Sequence, residues 1–476
     1  MKEELNEDAI QPLKIHSSLT RGLEELKPLD GKTVRLYTCG PSVYNFAHIG
    51  NFRAYMFEDV LRRAIKLNGW GVKQVMNLTD VDDKTIRGAN AGSIPLNEYT
   101  KPYKEAFFRD LETLNIEKAE VYPAATDHIP EMISLVQKLF EKGVAYKSDD
   151  GSVYFSVEKF PQYGQLAHID RENMRTGARC ASDEYEKENV GDFALWKAWE
   201  ESDGPVGWES PWGLGRPGWH IECSAMSMKY LGETFDLHTG GIDNMFPHHE
   251  NEIAQAEAAT GKKFVVHWMH CAHLRVNGEK MSKSLGNFYT LRDLLDKGFT
   301  GREIRYVLAS AHYRQPLNFT FSALEDARKA LKRIDNCISS LSRKASEGAA
   351  ATPSFAQTAW IAFMNAVNDD LNLPKAYAAL FECVHAANAA LETMSGDEAA
   401  AVLGVFKKMD SLFGFIFNST APADEDVPDE IKAVLAERAE ARKAKNWAES
   451  DRLRNHLASL GWTVKDSKDG QTVSKA

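Results

Sequence analysis

Hydrophobic and polar residues change period several times along this chain, and the changes mark its elements. Residues 32–38, KTVRLYT, are β-branched, aromatic and few, which reads as a buried strand. After Cys39-Gly40-Pro41 the apolar residues fall at helical spacing: Phe52, Met56, Val60 and Ala64 in one row, Phe57, Leu61 and Ile65 beside it. Asn68-Gly69 closes that helix, and a second strand, VKQVMNL (72–78), comes at once. Strand, helix and strand at this spacing predict a βαβ unit whose crossover sets His48-Ile49-Gly50-Asn51 at a helix N-terminus. Free backbone N–H groups and the positive dipole end make that a good place for phosphate.

Further on, a helix is expected near 129–142, ending at Lys142-Gly143, then a hairpin about Asp149-Asp150-Gly151 and a turn-rich stretch to PWGLGRPG. Pro247 followed by HHENEIAQAEAA predicts a helix start. Residues 264–276 and 279–281 read as strands joined by an Asn277-Gly278 turn. The remainder is mainly helical, with helix-period rows over 322–345 and 355–394 separated by the linker SEGAAATPS. A second linker, NSTAPADEDVPDE (418–430), isolates a small C-terminal unit made of EIKAVLAERAEARKAKNWAESDRLRNHLASLG and a closing hairpin, WTVKDSKDGQTV.

A chain of 476 residues with 43% hydrophobic and 26% charged residues can build several domains around substantial cores. Its first residues are polar, and no apolar run nears the roughly 18 residues of a membrane span, so a cytoplasmic protein is expected. A net charge of −11 argues against a general nucleic-acid coat. It leaves room for a local basic patch, and Arg438, Arg442, Lys443, Lys445, Arg452 and Arg454 supply one in the C-terminal unit. The six cysteines are scattered without a CxxC pair and read as thiols, ligands or core residues.

The chemistry concentrates between Gly218 and Glu252. His248 and Glu252 stand four apart, so they leave a helix from one face, and Cys223 lies upstream. Thiol, imidazole and carboxylate make three quarters of a zinc site, and the fourth ligand must come from elsewhere in the chain. HWMHCAH (267–273) also offers ligands, but it is strand-like sequence running into a hairpin and is read as that. The loop after the hairpin, in GEKMSKSLGN (278–287), carries Lys280 and Lys283 and suits a polyphosphate. HIGN and KMSKS together, about 230 residues apart on a split α/β domain, are far more specific than either alone.

With these residues the sequence resembles the class I aminoacyl-tRNA synthetases. Four blocks narrow the resemblance to the cysteinyl-tRNA synthetases: CGPSVYNFAHIGN, NLTDVDDKTI, GRPGWHIECSAMS and FDLHTGGIDNMFPHHENEIAQ. It runs from about residue 15 to the C-terminus. It implies an α/β fold: a Rossmann-type catalytic domain split by an insert, then an α-helical bundle and a small C-terminal α+β anticodon-binding module. The boundaries expected are 1–124 and 216–265 for the two catalytic halves, 125–215 for the insert and 266–325 for the KMSKS and stem-contact region. The bundle takes 326–417 and the anticodon module 426–476.

The resemblance also implies one zinc ion per chain on Cys39, Cys223, His248 and Glu252. His48, Asn51, Lys280 and Lys283 become the catalytic groups around ATP and its magnesium, and Gly240, Gly241 and Asp243 the contacts to the adenosine ribose. Cys39, Thr79, Trp219 and His238 would line the amino-acid pocket. The partners implied are ATP, L-cysteine and tRNA(Cys), with no membrane, and the chain is expected to be a monomer. Asn51 departs from the histidine many members carry, and Thr239 from a commoner glycine.

A metal answers a physical need here. Cysteine and serine differ by one atom, and a pocket working by shape separates near-isosteres by only about 10–200-fold, where roughly 10⁴–10⁵ is needed. Zinc binds thiolate well and a neutral alcohol poorly. Four protein ligands would close a tetrahedral zinc, so Glu252 is expected to be the loose one. Two rival readings are a cysteine ligase acting on an amino-sugar and a non-catalytic RNA-binding paralogue. The C-terminal unit opposes the first, and His48, Lys283 and the four zinc ligands oppose the second.

Overall fold

The strand expected at 32–38 is Thr33–Thr38 (β1), and the helix after it is Ile49–Leu67 (α1), capped at its end by Asn68. Gly71–Met76 (β2) then returns parallel to β1, with Thr38 opposite Met76. These elements come from a computed structural model describing residues 9–169, 191–282, 285–348, 350–417, 428–467 and 470–475. The chain divides into two compact units, Met1–Asn418 and Ser419–Ala476.

Asp83–Gly92 (α2) and Leu96–Thr113 (α3) come after β2, and Ile129–Glu141 (α4) opens the insert as expected. The hairpin about Asp149-Asp150-Gly151 is Ala145–Lys147 (β3) with Val153–Phe155 (β4). The stretch expected to be turn-rich also holds strands. Phe193–Ala198 (β5) and Gly215–Pro217 (β6) extend the hairpin into a four-stranded antiparallel sheet in the order β3-β4-β5-β6. β5 is buried along nearly its whole length, so its residues do not alternate, and the period that betrays a strand is absent.

The chain re-enters the main sheet through Trp219–Leu231 (α5), Phe235–Gly241 (β7), Glu250–Thr260 (α6) and Val265–Cys271 (β8). The sheet is parallel, in the order β8-β7-β1-β2. Strand order reverses between β1 and β7, and the crevice beyond the carboxyl ends of two such strands is where open α/β sheets bind ligands. The long strand expected at 264–276 breaks at Ala272-His273: β8 stays in the main sheet, and Leu274–Val276 (β9) pairs with Glu279–Lys280 (β10) and Leu317–Phe319 (β11). Asn277 and Gly278, at φ of 52° and 83°, form the predicted turn.

Gly301–Ala309 (α7) and Phe321–Lys344 (α8) lead into the bundle. The helix expected over 355–394 is two, Ser354–Asn368 (α9) and Leu373–Ala390 (α10), and a third, Gly396–Phe413 (α11), packs on them. The break falls where Asp370 and Leu371 take left-handed φ of 57° and 54° and a proline opens α10. Asp370 holds that corner, accepting hydrogen bonds from Tyr313 Oη (2.6 Å), Arg314 Nε (2.7 Å) and His16 N (2.8 Å). In the second unit Asp429–Lys443 (α12), Trp447–Ser459 (α13) and the hairpin of Trp462–Ser467 (β12) and Gly470–Lys475 (β13) match the expected order. The expected helix divides at Lys445, φ 57°.

α1 is fastened to the helical half by buried charge. Asp59 accepts from Arg63 Nε (2.9 Å), Arg305 Nη2 (2.6 Å) and the Glu117 amide (2.9 Å). Arg305 also donates to the carbonyls of Leu114, Asn115 and Phe413. Asp59→Ala leaves the buried Arg305 guanidinium without its counter-ion and Arg63 with only Glu117, at 3.9 Å. It is expected to lower stability by about 3–5 kcal/mol, read as a shift of the denaturant midpoint.

Candidate functional site

A cleft of ≈ 720 Å³ opens at the carboxyl ends of β1 and β7. One wall carries metal donors, and the other carries the start of α1. Cys39 stands one residue past β1, Cys223 on the first turns of α5, His248 in a π turn that leads into α6, and Glu252 on α6 itself. The helix expected at Pro247 therefore begins its α-helical part at Glu250, yet the four-residue spacing still works, with His248 Nε2 3.1 Å from Glu252 Oε1. One donor atom from each of Cys39, Cys223, His248 and Glu252 lies within 4.8 Å of all the others. Two sulfurs, an imidazole and a carboxylate at such separations suit zinc by donor type and number. His220 Nδ1, 2.8 Å from His248 Nδ1, fixes the ring that presents Nε2 to the cluster.

Electrostatics in the metal-free cluster are already those of a charged site. A hydrogen bond from Cys39 brings the Cys223 thiol down to about 6, against the opposing effect of burial. Burial pulls His248 down, but Cys223 and Glu252 outweigh it and raise the imidazole to about 10. Burial opposes ionisation of Glu252, and His238 and His248 still hold its carboxyl below the usual range.

Sequence reasoning left the neighbouring histidines unassigned. His249 Nε2 is 3.3 Å from Cys39 Sγ, and its Nδ1 is 2.9 Å from His270 Nε2. His270 Nδ1 in turn meets Ser18 Oγ at 2.7 Å. Burial drives both imidazoles toward the neutral form, His270 to about 3. The HWMHCAH strand is thus absorbed into the fold, with His267 bonded to Glu24 (2.5 Å) and His270 backing His249. His238 is fully buried beneath Trp268, 4.6 Å between ring centres, and its Nε2 lies 3.1 Å from Glu252 Oε2 rather than on the cleft wall.

Thr79 and Trp219 do line the cleft. Trp219 stacks on His248 at 4.3 Å and stays 42% exposed, which makes it a lip to the metal side. Thr79 donates to Glu222 Oε2 (3.0 Å), a wholly buried carboxyl that burial and then Cys223 push well above the usual range. Glu222 gave no sequence signal, since it sits between two cleft residues on a helix with no polar face.

Opposite the metal donors, His48 caps α1. Its ring accepts from the Asn51 amide (3.2 Å), and Asn51 Oδ1 accepts from the His48 amide (3.1 Å). Gly50 permits this, because a Cβ there would lie 2.9 Å from His48 Nδ1. Burial lowers the His48 pKa, so its ring is neutral at pH 7. Lys280, Gly241 and Asp243 share the cleft, while Gly240 lies just behind, its missing Cβ leaving room for the His249 ring. Lys283 lies outside the described residues.

Residues 25–329 match the family model described as the tRNA synthetases class I (C) catalytic domain. Residues 362–418 match a DALR domain, and 424–473 the cysteinyl-tRNA ligase anticodon binding domain. Among solved structures, methionyl-tRNA synthetase of Mycobacterium tuberculosis with methionyl-adenylate superposes with a TM-score of 0.57 at 14% identity, over 81% of this chain and 90% of that one. The LeuRS–tRNA–LeuAMS complex from Agrobacterium radiobacter K84 gives 0.58 at 12% identity, over 82% and 85%. The fold is that of the class I aminoacyl-tRNA synthetases.

Curated relatives are nearer. The cysteine–tRNA ligase of Protochlamydia amoebophila is 51% identical over 99% of this chain and all of its own length. That of Chlamydia pneumoniae is 50% identical over 92% and 94%, and that of Brachyspira hyodysenteriae 48% over 97% and 99%. The chain belongs to the cysteinyl-tRNA ligase family and is a ligase of the aminoacyl-tRNA synthetase class.

The contribution of the α1 cap is measurable. Asn51→Ala removes the acceptor for the His48 amide and is expected to cost about 1 kcal/mol of stability. Asn51→Asp keeps an acceptor and should lose less than half of that in the same denaturant titration.

Proposed function

We propose that this chain activates L-cysteine with ATP to cysteinyl-adenylate and passes the cysteinyl group to the 3′ end of tRNA(Cys), using a zinc ion to select the thiol. The carrying observation is that Cys39, Cys223 and His248 line the same cleft that the α1 cap faces, and that Glu252 meets them from just behind its wall. When bound, zinc supplies a soft Lewis-acid contact that prefers sulfur to a hydroxyl oxygen.

The protein's own groups supply position and charge. The α1 N-terminus, with His48 and Asn51, meets the triphosphate near the α-phosphate. Lys280 and Lys283 take the β/γ side with magnesium, and Gly240, Gly241 and Asp243 the ribose. Thr79 and Trp219 bound the amino-acid end, and His238 acts from behind by holding Glu252. The cysteine carboxylate attacks the α-phosphorus and pyrophosphate leaves; the terminal tRNA hydroxyl then attacks the adenylate carbonyl and AMP leaves. Such transfers depend on alignment and charge stabilisation more than on a protein nucleophile. Anticodon contact falls to the C-terminal unit, where Arg442 and Lys443 on α12 and Arg452 and Arg454 on α13 remain of the expected basic set, Arg438 being buried and bonded to Gln471.

Cys39, Cys223, His248 and Glu252 would hold the ion, and Glu252 would be the most loosely held of the four donors, the one to give way to a substrate sulfur. Its second oxygen already has a partner in His238, so the carboxylate can leave the ion without becoming an unpaired buried charge. Glu252→Gln is therefore expected to retain zinc, and loss of the metal from that variant would refute this role. The whole reading is tested by charging unfractionated tRNA with labelled cysteine and with serine. Cysteine-specific charging supports it, while no charging and no cysteine-dependent pyrophosphate exchange by folded, zinc-loaded protein overturns it.

Zinc uptake also has a pH signature. His248, raised to about 10, keeps its proton until the ion displaces it, whereas Cys223, lowered to about 6, gives up its own readily. Between those limits uptake should release two protons, one from His248 and one from the Cys39 thiol, which its hydrogen bond to Cys223 and burial hold well above the usual range, so apparent affinity climbs about a hundredfold per pH unit, measured against a chelator. In the metal-free chain the signs oppose. The stability gained from protonated His248 is full below about 6.5 and lost as pH rises through about 10; that from ionised Cys223 is full above about 9 and lost as pH falls through about 6.

A further inference from the structure

The metal cradle contains a second complete donor set. Cys39, His238, His249 and Glu252 also each place one ligand atom within 4.8 Å of the other three. Two of these are shared with the first set. The other two replace Cys223 and His248 by a pair of imidazoles on the far side of Glu252. The carboxylate lies symmetrically between the sets, with Oε1 3.1 Å from His248 Nε2 and Oε2 3.1 Å from His238 Nε2. Cys39 Sγ likewise faces Cys223 on one side and His249 Nε2, at 3.3 Å, on the other.

Donor and acceptor counting favours a cation at the second centre. His238 Nδ1 is 3.2 Å from the Thr239 carbonyl and Nε2 is 3.1 Å from a Glu252 oxygen, so both ring nitrogens face acceptors. A neutral imidazole has one N–H. If it goes to the carbonyl instead of to Glu252, a lone pair is left facing a carboxylate in a fully buried site, and a metal ion seated between them satisfies both. His249 is arranged to match. With its Nδ1–H given to His270 Nε2, and the His270 Nδ1–H to Ser18 Oγ, the His249 Nε2 lone pair points at Cys39 and the cluster. An outer group that fixes a ring's free nitrogen is the usual support of a ligating histidine.

We propose that the cradle has two seats for one thiophilic divalent ion. The outer seat uses Cys223 and His248, and the inner seat uses His238 and His249, with Cys39 and Glu252 common to both. The seats differ in access. Cys223 and His248 line the cleft, whereas His238, His249 and Glu252 are fully buried behind it. An ion in the inner seat is retained by the protein but withheld from a substrate sulfur, so the inner seat keeps the metal in a resting, substrate-inaccessible form. The proposal rests on the zinc reading above for the nature of the ion, and it adds ligands which that reading does not use.

The test removes the ligands unique to the outer seat. The full-length Cys223→Ala/His248→Ala chain, checked for folding by its thermal transition, is expected to hold about one equivalent of zinc. Its affinity should be about 10–100-fold below that of the unsubstituted chain, and zinc-edge X-ray absorption should show one sulfur and two imidazole nitrogens. Adding His238→Ala and His249→Ala should then strip the metal. A folded double variant that stays empty at zinc concentrations about 1,000-fold above those that half-saturate the unsubstituted chain would overturn the inner seat alone. An unsubstituted chain that takes up no zinc would overturn both this proposal and the zinc reading. Should the double variant not fold, Cys223→Ala decides by its imidazole count: two nitrogens place the ion in the inner seat, and one refutes it.

Discussion

The fully buried Glu252 carboxylate is the constraint around which the site is built. A carboxylate removed from water is costly unless its charge is met, and here an imidazole stands at each oxygen. Two thiols in the same small volume add to the demand for positive charge. The metal-free protein meets it with a proton on His248, which Cys223 and Glu252 raise to about 10 against burial, while the hydrogen bond from Cys39 lets Cys223 fall to about 6 and add its own negative charge. On the zinc reading proposed above, a divalent cation would replace that proton on donors already placed, and its affinity would come from this electrostatic deficit.

Parallel sheet topology brings the donors together. Cys39 and His249 are 210 residues apart in sequence and in contact, because β1 and β7 end side by side at the reversal of strand order. α1 is the second element of the device. Its first turn presents the His48 cap to the cleft, while Arg53, Asp59 and Arg63 along its body hold the carbonyls and guanidinium of the helical half. Arg53 bonds the carbonyls of Leu308, Ala311 and His312, so the His48 end of the cleft and the start of the bundle share one support.

Local signals carried most of the fold. The periods of β1, α1, β2 and α4 and the turns at Asn68-Gly69 and Asn277-Gly278 are properties of neighbouring residues, and the elements stand where those signals put them. Breaks were harder to read when tertiary contacts cause them. The left-handed corner at Asp370-Leu371 is held by Tyr313, Arg314 and His16, none near it in sequence. The same holds for the site. His248 and Glu252 were legible because their four-residue spacing brings the side chains together, which holds although His248 sits in the turn just before α6. Their geometry joins them to Cys223 directly, whereas Cys39 entered only through the likeness to a family. The partners His238, His249 and His270 depend on which ring nitrogen faces which neighbour, and no sequence period encodes that.

Thr239 shows how such a departure can be absorbed. It sits at the end of β7, where a nucleotide would be near, but its hydroxyl is fully buried and donates to Glu58 Oε1 on α1 at 3.2 Å. Burial raises the Glu58 carboxyl well above the usual range, and its Oε2 has no partner among the described residues. The added side chain therefore faces the interface between sheet and catalytic helix, not the cleft. There a hydroxyl answers one oxygen of a group that would otherwise be more poorly satisfied. A threonine at this position adds a tie between β7, which carries His238, and α1, which carries the His48 cap.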